Sequence, residues 1–391
     1  MTAFGKFPDR TMGNLAVEAT TSALSDAGLA VSDVETVFFA NATAGLMTGQ
    51  EMVRGQIALR ETGLLGLPIV NVENACASAS TAAHLAWLSV ASGQTDIALA
   101  VGAEKLSHPD KNRSFTALSA AVDQERLDEL RAELYGEDND PATTGDRSFF
   151  MDVYADMAKK YMARSGATTQ DFAAVAVKSH RHAALNPRAQ YRNEVTVEQV
   201  LESRHVSGPL TLLMCSPIGD GAAALVFVSD DVASRLETPK VRLRASVVVS
   251  GREGPSAETA AERAAMKAYE IAGLGPEAVD VAEVHDAAAP AELIIYEELG
   301  LCGPGDGPKL LASGATTLGG RVPVNTSGGL ISKGHPVGAT GCAQLVELTE
   351  QLRGTVGARQ VEGARVAVGE NGGGYLGPDP AAVCVTVLSR D

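Results

Sequence analysis

One cysteine and two histidines stand in settings that suit covalent chemistry. Cys76 lies in Asn74-Ala-Cys76-Ala-Ser-Ala-Ser80-Thr, where the apolar run Pro68-Ile-Val-Asn-Val72 gives way to a small-residue helical stretch ending near Gly93. A cysteine at such a strand-to-helix turn meets free N–H groups and the positive end of the helix dipole. Both favour a thiolate and lower the thiol pKa. The same N–H groups can hold an oxyanion that develops beside the sulfur. On this stretch alone, a nucleophile and a buried structural cysteine are even readings. His335 sits in the glycine-rich loop Asn325-Thr-Ser-Gly-Gly-Leu-Ile-Ser332-Lys-Gly-His335-Pro, and His285 ends the run Val279-Asp-Val-Ala-Glu-Val-His285-Asp286. A free thiol is only slightly ionised at neutral pH, so a nucleophilic cysteine needs a base of this kind beside it.

The elements that must position these residues alternate. An amphipathic helix is predicted over 13–29, a strand over 34–41 and a helix over about 49–64. A buried strand then precedes Cys76, the cysteine helix follows it, and a second buried strand spans 96–104. Apolar strands alternating with helices predict a parallel or mixed sheet covered on both faces. Residues 105–210 are more polar and read as a mainly helical excursion, with a loop at Tyr135–Pro141; such insertions often build a substrate entrance. Lys178, His180, Arg181 and His182 form the best local basic cluster there, either meeting a phosphate or lying on a solvated face. Strands are expected from Asp220, over 240–255 and over 279–286. Helices are expected over 257–272, from Pro290 and from Val337, and two last strands from Arg365 and Ala382. Asp220-Gly-Ala-Ala-Ala-Leu-Val-Phe-Val and Gly372-Gly-Gly-Tyr…Val-Cys-Val-Thr-Val are alike, which hints at a duplicated unit.

Composition narrows the class. A chain of 391 residues can bury one large core or two medium ones, and 40 glycines with 4% aromatics suit tightly packed α/β layers. A net charge of −16 argues against a nucleic-acid partner held through phosphates. Cys76, Cys215, Cys302, Cys342 and Cys384 form no CxxC pair, which fits a reducing cytoplasm without disulfides or a structural zinc. No apolar core of a signal peptide, bilayer-spanning run or peroxisomal C-terminus is evident, so the expected location is cytoplasmic.

In this order, Asn74-Ala-Cys76-Ala-Ser-Ala-Ser, Gly219-Asp-Gly-Ala-Ala-Ala, Glu283-Val-His-Asp-Ala-Ala, Gly328-Gly-Leu-Ile-Ser-Lys-Gly-His-Pro-Val-Gly-Ala-Thr-Gly and Gly372-Gly-Gly-Tyr resemble the thiolase superfamily. The resemblance is closest to its sterol-carrier-protein or lipid-transfer branch and covers nearly the whole chain. It implies a thiolase fold: two similar βαβαβαββ halves in five α/β/α/β/α layers with an inserted helical loop domain. The halves would be 1–240, with the insertion at about 105–210, and 241–391. It makes Cys76 the acyl-accepting nucleophile, His335 its base and His285 a donor to the thioester oxygen. The N–H groups of Cys76 and Gly374 would form an oxyanion hole, with Asn371 and Ser332 also at the substrate and Lys333 positioning the loop. No metal or bound cofactor is implied; a coenzyme A or carrier-protein thioester is the substrate. Partners implied are a second copy and a small zinc-ribbon/OB-fold protein.

Two departures stand out. Thiolases carry a second cysteine that moves an α-proton, and here its two usual places hold Glu370 and Ala287. Claisen chemistry still needs a base near the α-carbon. The candidates are Glu370, its pKa raised by burial, His285 and His335; alternatively Glu370 is a partly exposed loop residue. The second departure is that only Met1-Thr-Ala precede Phe4-Gly-Lys-Phe where relatives have an apolar strand. The expected function is therefore a thiolase-like acyltransferase passing an acyl group from Cys76 to carbon. Decarboxylative or aromatic C-acylation through a Cys-His-His set is the first alternative, and a non-catalytic or lipid-binding subunit the second.

Overall fold

The computed structural model describes residues 1–135, 148–254, 256–377 and 379–390. In the first sheet, β1 (Thr36–Ala40) lies between β2 (Ile69–Val72) and β3 (Ile97–Lys105), parallel to both. A small hairpin, β4 (His205–Ser207) and β5 (Leu210–Thr211), precedes β6 (Asp220–Val228), which joins β3 antiparallel. The second sheet has the order β7 (Arg242–Ser250), β10 (Ala382–Ser389), β9 (Val366–Gly373), β8 (Val281–Glu283), with only β8 and β9 parallel. Strands β8, β9 and β10 thus repeat the pattern of β1, β3 and β6. The place beside β6 that would match β7 is met by a short extended segment, where the Thr2 N–H donates to the Ala222 carbonyl and Gly5 bridges Asp220.

Five layers result. Helix α1 (Met12–Ala27) covers the outer face of the first sheet. Helices α2 (Ser78–Ala91), which follows Cys76, and α7 (Thr340–Arg353) pack on each other between the sheets. Helix α5 (Ala260–Ala272) covers the outer face of the second sheet. A helix between two sheets must be apolar or small on every face. In α2 this is met by Ala79, Ala82, Ala83 and Ala86, all buried. Between β3 and β6 the chain leaves the sheet as helices, chiefly α3 (Phe149–Ser165) and α4 (Thr169–Ala184); α6 (Ala289–Glu298) follows β8.

Several expectations change. The strand before Cys76 is not buried: β2 is the sheet's edge, and Val70 is 43% exposed. The helix expected over 49–64 shrinks to Arg54–Ala58, because Gly49 and Gly63 take positive φ of 81° and 85°. The strand expected over 279–286 keeps ladder pairing only to Glu283. Beyond it the Val284 N–H donates to Asn325 Oδ1 and the His285 N–H to Glu370 Oε2. The basic cluster of α4 does not face a phosphate. Lys178, His180 and His182 are buried, with Lys178 Nζ 2.5 Å from Glu292 Oε1. Residues 136–141 of the expected loop lie outside the described residues.

Candidate active site

Cys76 enters the site through a single 3₁₀ turn, Ala75–Ala77, that leads into α2. Ala75 has φ 48°, a conformation that swings the next residue out of the strand direction. Beside it runs the end of β9. A Cβ on Gly373 would lie 2.9 Å from the Cys76 nitrogen, so only glycine lets the two backbones approach this closely. Gly374 turns at φ 68°, and its N–H and that of Cys76 both point at the Cys76 sulfur.

His335 arrives from the glycine loop, whose segment Gly329–Lys333 is one π-helical turn. Its Nε2 lies 3.3 Å from Cys76 Sγ. Its Nδ1 lies 2.8 Å from Thr340 Oγ1, and that hydroxyl donates to the Pro336 carbonyl at 3.1 Å. The hydroxyl proton is therefore used, Thr340 accepts the Nδ1–H, and Nε2 is left bare to take the thiol proton. The His285 ring stands edge-on to His335, with centroids 5.1 Å apart. Asn371 Nδ2 is 2.9 Å from His285 Nδ1.

The electrostatics differ from the thiolate expected of a helix start. Burial, followed by the Glu104 carboxylate, pushes the Cys76 thiol up to about 12; the two N–H groups pull the other way without offsetting it. Burial holds His335 well below its ordinary range, with His285 and Lys333 adding to the effect, and burial pushes His285 down to about 4. The pair is a thiol and a neutral imidazole, not a thiolate and an imidazolium. Thiol, base and donor thus all start uncharged, and the dipoles around them act on charge only as it forms. Cys76, His285 and His335 place ligand atoms within 4.8 Å of one another. That spacing could hold a soft metal ion, but the Sγ···Nε2 distance is that of a hydrogen-bonded pair.

Glu370 is 2% exposed on β9 and faces the cavity, so the partly exposed loop reading falls. Burial pushes its carboxyl up to about 7, against the pull of the His285 N–H. Ala287 also lines the cavity and offers no acid/base group. The cavity has a volume of about 570 Å³, and Phe150, Tyr154, Met157, Val206, Ile294 and Ile295 give it an apolar wall.

The structure brings Cys76, His335, His285, Glu370 and Gly374 to this cavity. Ser332 and Asn371 do not reach it. Ser332 is fully buried inside the π turn, where its N–H and carbonyl hold neighbouring backbone. Asn371 stands behind His285, because alternation along β9 turns it away from the face that Glu370 presents. Thr340 and Ser80, not singled out from the sequence, orient the site. The one sequence signal for them is their placement in the motifs around His335 and Cys76. Behind the site, Lys333 Nζ lies 3.4 Å from Glu283 Oε2, and Glu283 also accepts from the Ser327 N–H and hydroxyl. Lys333 thus holds the loop, as expected.

Comparison with known proteins gives the family. The chain matches the family models for the thiolase N-terminal domain over residues 1–231 and the thiolase C-terminal domain over 245–389. It is 38% identical to an acetyl-CoA acetyltransferase of Methanothermobacter thermautotrophicus, covering 100% of this chain and 97% of that one. It is 37% identical to sterol carrier protein 2 of Gallus gallus, covering 100% and 70%. Among solved structures, an Ltp2-ChsH2(DUF35) aldolase superposes with a TM-score of 0.80 at 28% identity, covering 100% and 96%. The chain belongs to the thiolase family, close to its sterol-carrier branch, and is a thiolase-like acyltransferase.

Proposed function

We propose that this protein forms a carbon–carbon bond, or breaks one in reverse, through an acyl thioester on Cys76. The observation that carries this reading is the 3.3 Å contact between Cys76 Sγ and His335 Nε2, with the Cys76 and Gly374 N–H groups converging on the same point. In the first half-reaction Sγ attacks the carbonyl of a coenzyme A or carrier-protein thioester as His335 takes the thiol proton. The carbonyl oxygen gains charge against those two N–H groups and against His285. The carbonyl re-forms, and the departing thiolate takes the proton from His335.

In the second half-reaction Glu370 removes the α-proton of a second thioester. The carbanion attacks the acyl carbon, the new C–C bond forms, and the Cys76 thiolate leaves; the α-proton held by Glu370 then passes to the sulfur, which restores the thiol, the carboxylate and the neutral His335. A carboxylate with a pKa near 7 is suited to this, because a base works best when its pKa is near the operating pH. Burial of Glu370 in the cavity therefore favours non-decarboxylative condensation over the decarboxylative or aromatic alternative. The apolar wall suits a hydrocarbon acyl chain. The test is intact-mass analysis after incubation with a panel of acyl-CoAs. The expected result is an acyl mass gain that is lost in Cys76→Ala. Absence of any adduct would sink the reading.

We also assign the protein to homodimers paired edge to edge along β2. Supporting this, β2 is a sheet edge, and Leu65, Val70, Ile57 and Met52 stand exposed around it. Sedimentation should show a dimer that Val70→Asp weakens; an unchanged species would refute this. A second assembly, with a small zinc-ribbon/OB-fold partner, has support from the aldolase complex among the structural neighbours. For location, the structural fact is that no helix among the described residues is long and apolar enough to cross a membrane.

A further inference from the structure

The two site histidines are held by different partners, and the difference has a chemical meaning. A neutral imidazole carries its proton on one nitrogen only, and the hydrogen bond at the other nitrogen decides which. For His335 the Thr340 hydroxyl fixes the proton on Nδ1. For His285 the partner at Nδ1 is an amide NH₂, Asn371 Nδ2 at 2.9 Å, which can only donate. The other end of that amide, Asn371 Oδ1, accepts from the Ser80 hydroxyl at 2.7 Å. Ser80 lies in the first turn of α2, four residues after Cys76, and is buried, as is Asn371. The Gln344 side chain holds the carbonyl of the preceding residue, Glu370, at 3.0 Å, which steadies the strand carrying Asn371.

We propose that Ser80 and Asn371 are positioning residues that lock His285 in the Nε2–H tautomer, opposite to that of His335. One ring then presents a bare Nε2 to the thiol, while the other presents an N–H to the thioester oxygen. No charge is needed on either ring. An identical tautomer on both rings would leave the site with two bases and no side-chain donor. The same amide turned end for end would give that failed state: Oδ1 would accept an Nδ1–H and leave His285 Nε2 bare. Ser80 works against that turn, because its single proton is directed to Oδ1 at 2.7 Å, the shorter of its two contacts, ahead of the Ala77 carbonyl at 2.9 Å. This inference rests on the reading of His285 as a donor to the thioester oxygen, and it adds what makes it one.

The test reads the tautomer directly, apart from turnover. ¹⁵N spectra of protein labelled at histidine, with His285 assigned through His285→Gln, should show Nε2 protonated and Nδ1 bare near neutral pH. Nδ1 protonated with Nε2 bare in the wild type would overturn the proposal even if Cys76 still takes up acyl groups. Asn371→Asp offers only acceptors at His285 Nδ1, and it should move the proton to Nδ1. It should also slow Cys76 acylation by about 10²-fold, the cost of one oxyanion donor, with a much smaller change in KM for the acyl-CoA. Ser80→Ala should give a smaller loss and a mixture of the two tautomers. A variant that keeps the Nε2–H signature and the full acylation rate would refute the role of its residue. Failure of acyl loading in the wild type, with the tautomers as expected, would instead count against the function proposed above.

Discussion

Two buried clusters lie back to back in this molecule and use burial in opposite ways. In the reactive corner, Cys76, His335, His285 and Glu370 have no ion of opposite charge among their hydrogen-bond partners in the described residues. Burial then decides, and it keeps every group near or at its uncharged form at neutral pH. Behind it, Lys178 pairs with Glu292 at 2.5 Å, Lys333 with Glu283 at 3.4 Å and Arg359 with Glu347 at 3.0 Å. There each buried carboxylate faces a cation, and at Glu283 Lys333 pulls against the upward push of burial. Asn325 donates to Glu292, and the Thr326 hydroxyl sits between Glu283 and Glu347, 3.4 and 3.2 Å away, so the ions fasten the glycine loop to β8, α6 and α7. Burial alone therefore does not make a group reactive. A buried group with an ion partner is scaffold, and one whose hydrogen bonds are all to neutral groups is held ready to gain or lose a proton.

The contrast can be broken from either side. The largest effect is expected at the nucleophile: Cys76→Ala should abolish covalent acyl loading in intact-mass spectra while the fold, read by circular dichroism, survives. Next, His335→Ala should slow acylation by about 10²–10⁴-fold in quenched-flow measurements, because a neutral thiol cannot attack without its base. On the scaffold side, Lys178→Met leaves the Glu292 carboxylate buried without its ion. It should cost about 3–5 kcal/mol in denaturant titrations, with any loss of activity following the loss of fold.

Glu370→Gln probes the border between the clusters. It should spare acyl loading and depress condensation, whose wild-type rate should rise through about pH 7 as the carboxyl loses its proton. The effect on stability has the opposite sign. A folded-state pKa above the unfolded value gives stability that is full below the unfolded pKa and lost as pH rises through about 7. At pH 8, Glu370→Gln should therefore be more stable than the wild type, by up to about 3 kcal/mol in the same titrations. A destabilised variant at that pH would place Glu370 among the scaffold ions.

Much of this was legible in the residues. The Cys76 turn, the His335 loop and the glycines after Glu370 carry patterns that local chemistry explains, and the terminal strands β6 and β10 fall where apolar runs predict them. What could not be read was set by packing between distant segments. Lys178, His180 and His182 look like a solvated basic run, but α4 turns that face toward Glu292 and the glycine loop. The run before Cys76 looks buried, but only strand order shows that β2 is an edge. A helix start promises a low thiol pKa, but the depth of the cavity and the Glu104 carboxylate reverse it. The Ser80–Asn371–His285 chain joins residues far apart in sequence and has no local signature.

The measurement that bears most directly on the neutral thiol–imidazole pair is the rate of Cys76 alkylation by iodoacetamide against pH. Digestion and mass spectrometry would follow that one cysteine, with Cys76→Ala as the blank. The expected rate is low at neutral pH and still climbing above about pH 9, since a thiol raised by burial ionises only there. A fast rate already level from about pH 6 upward would show a standing thiolate–imidazolium pair and contradict the account.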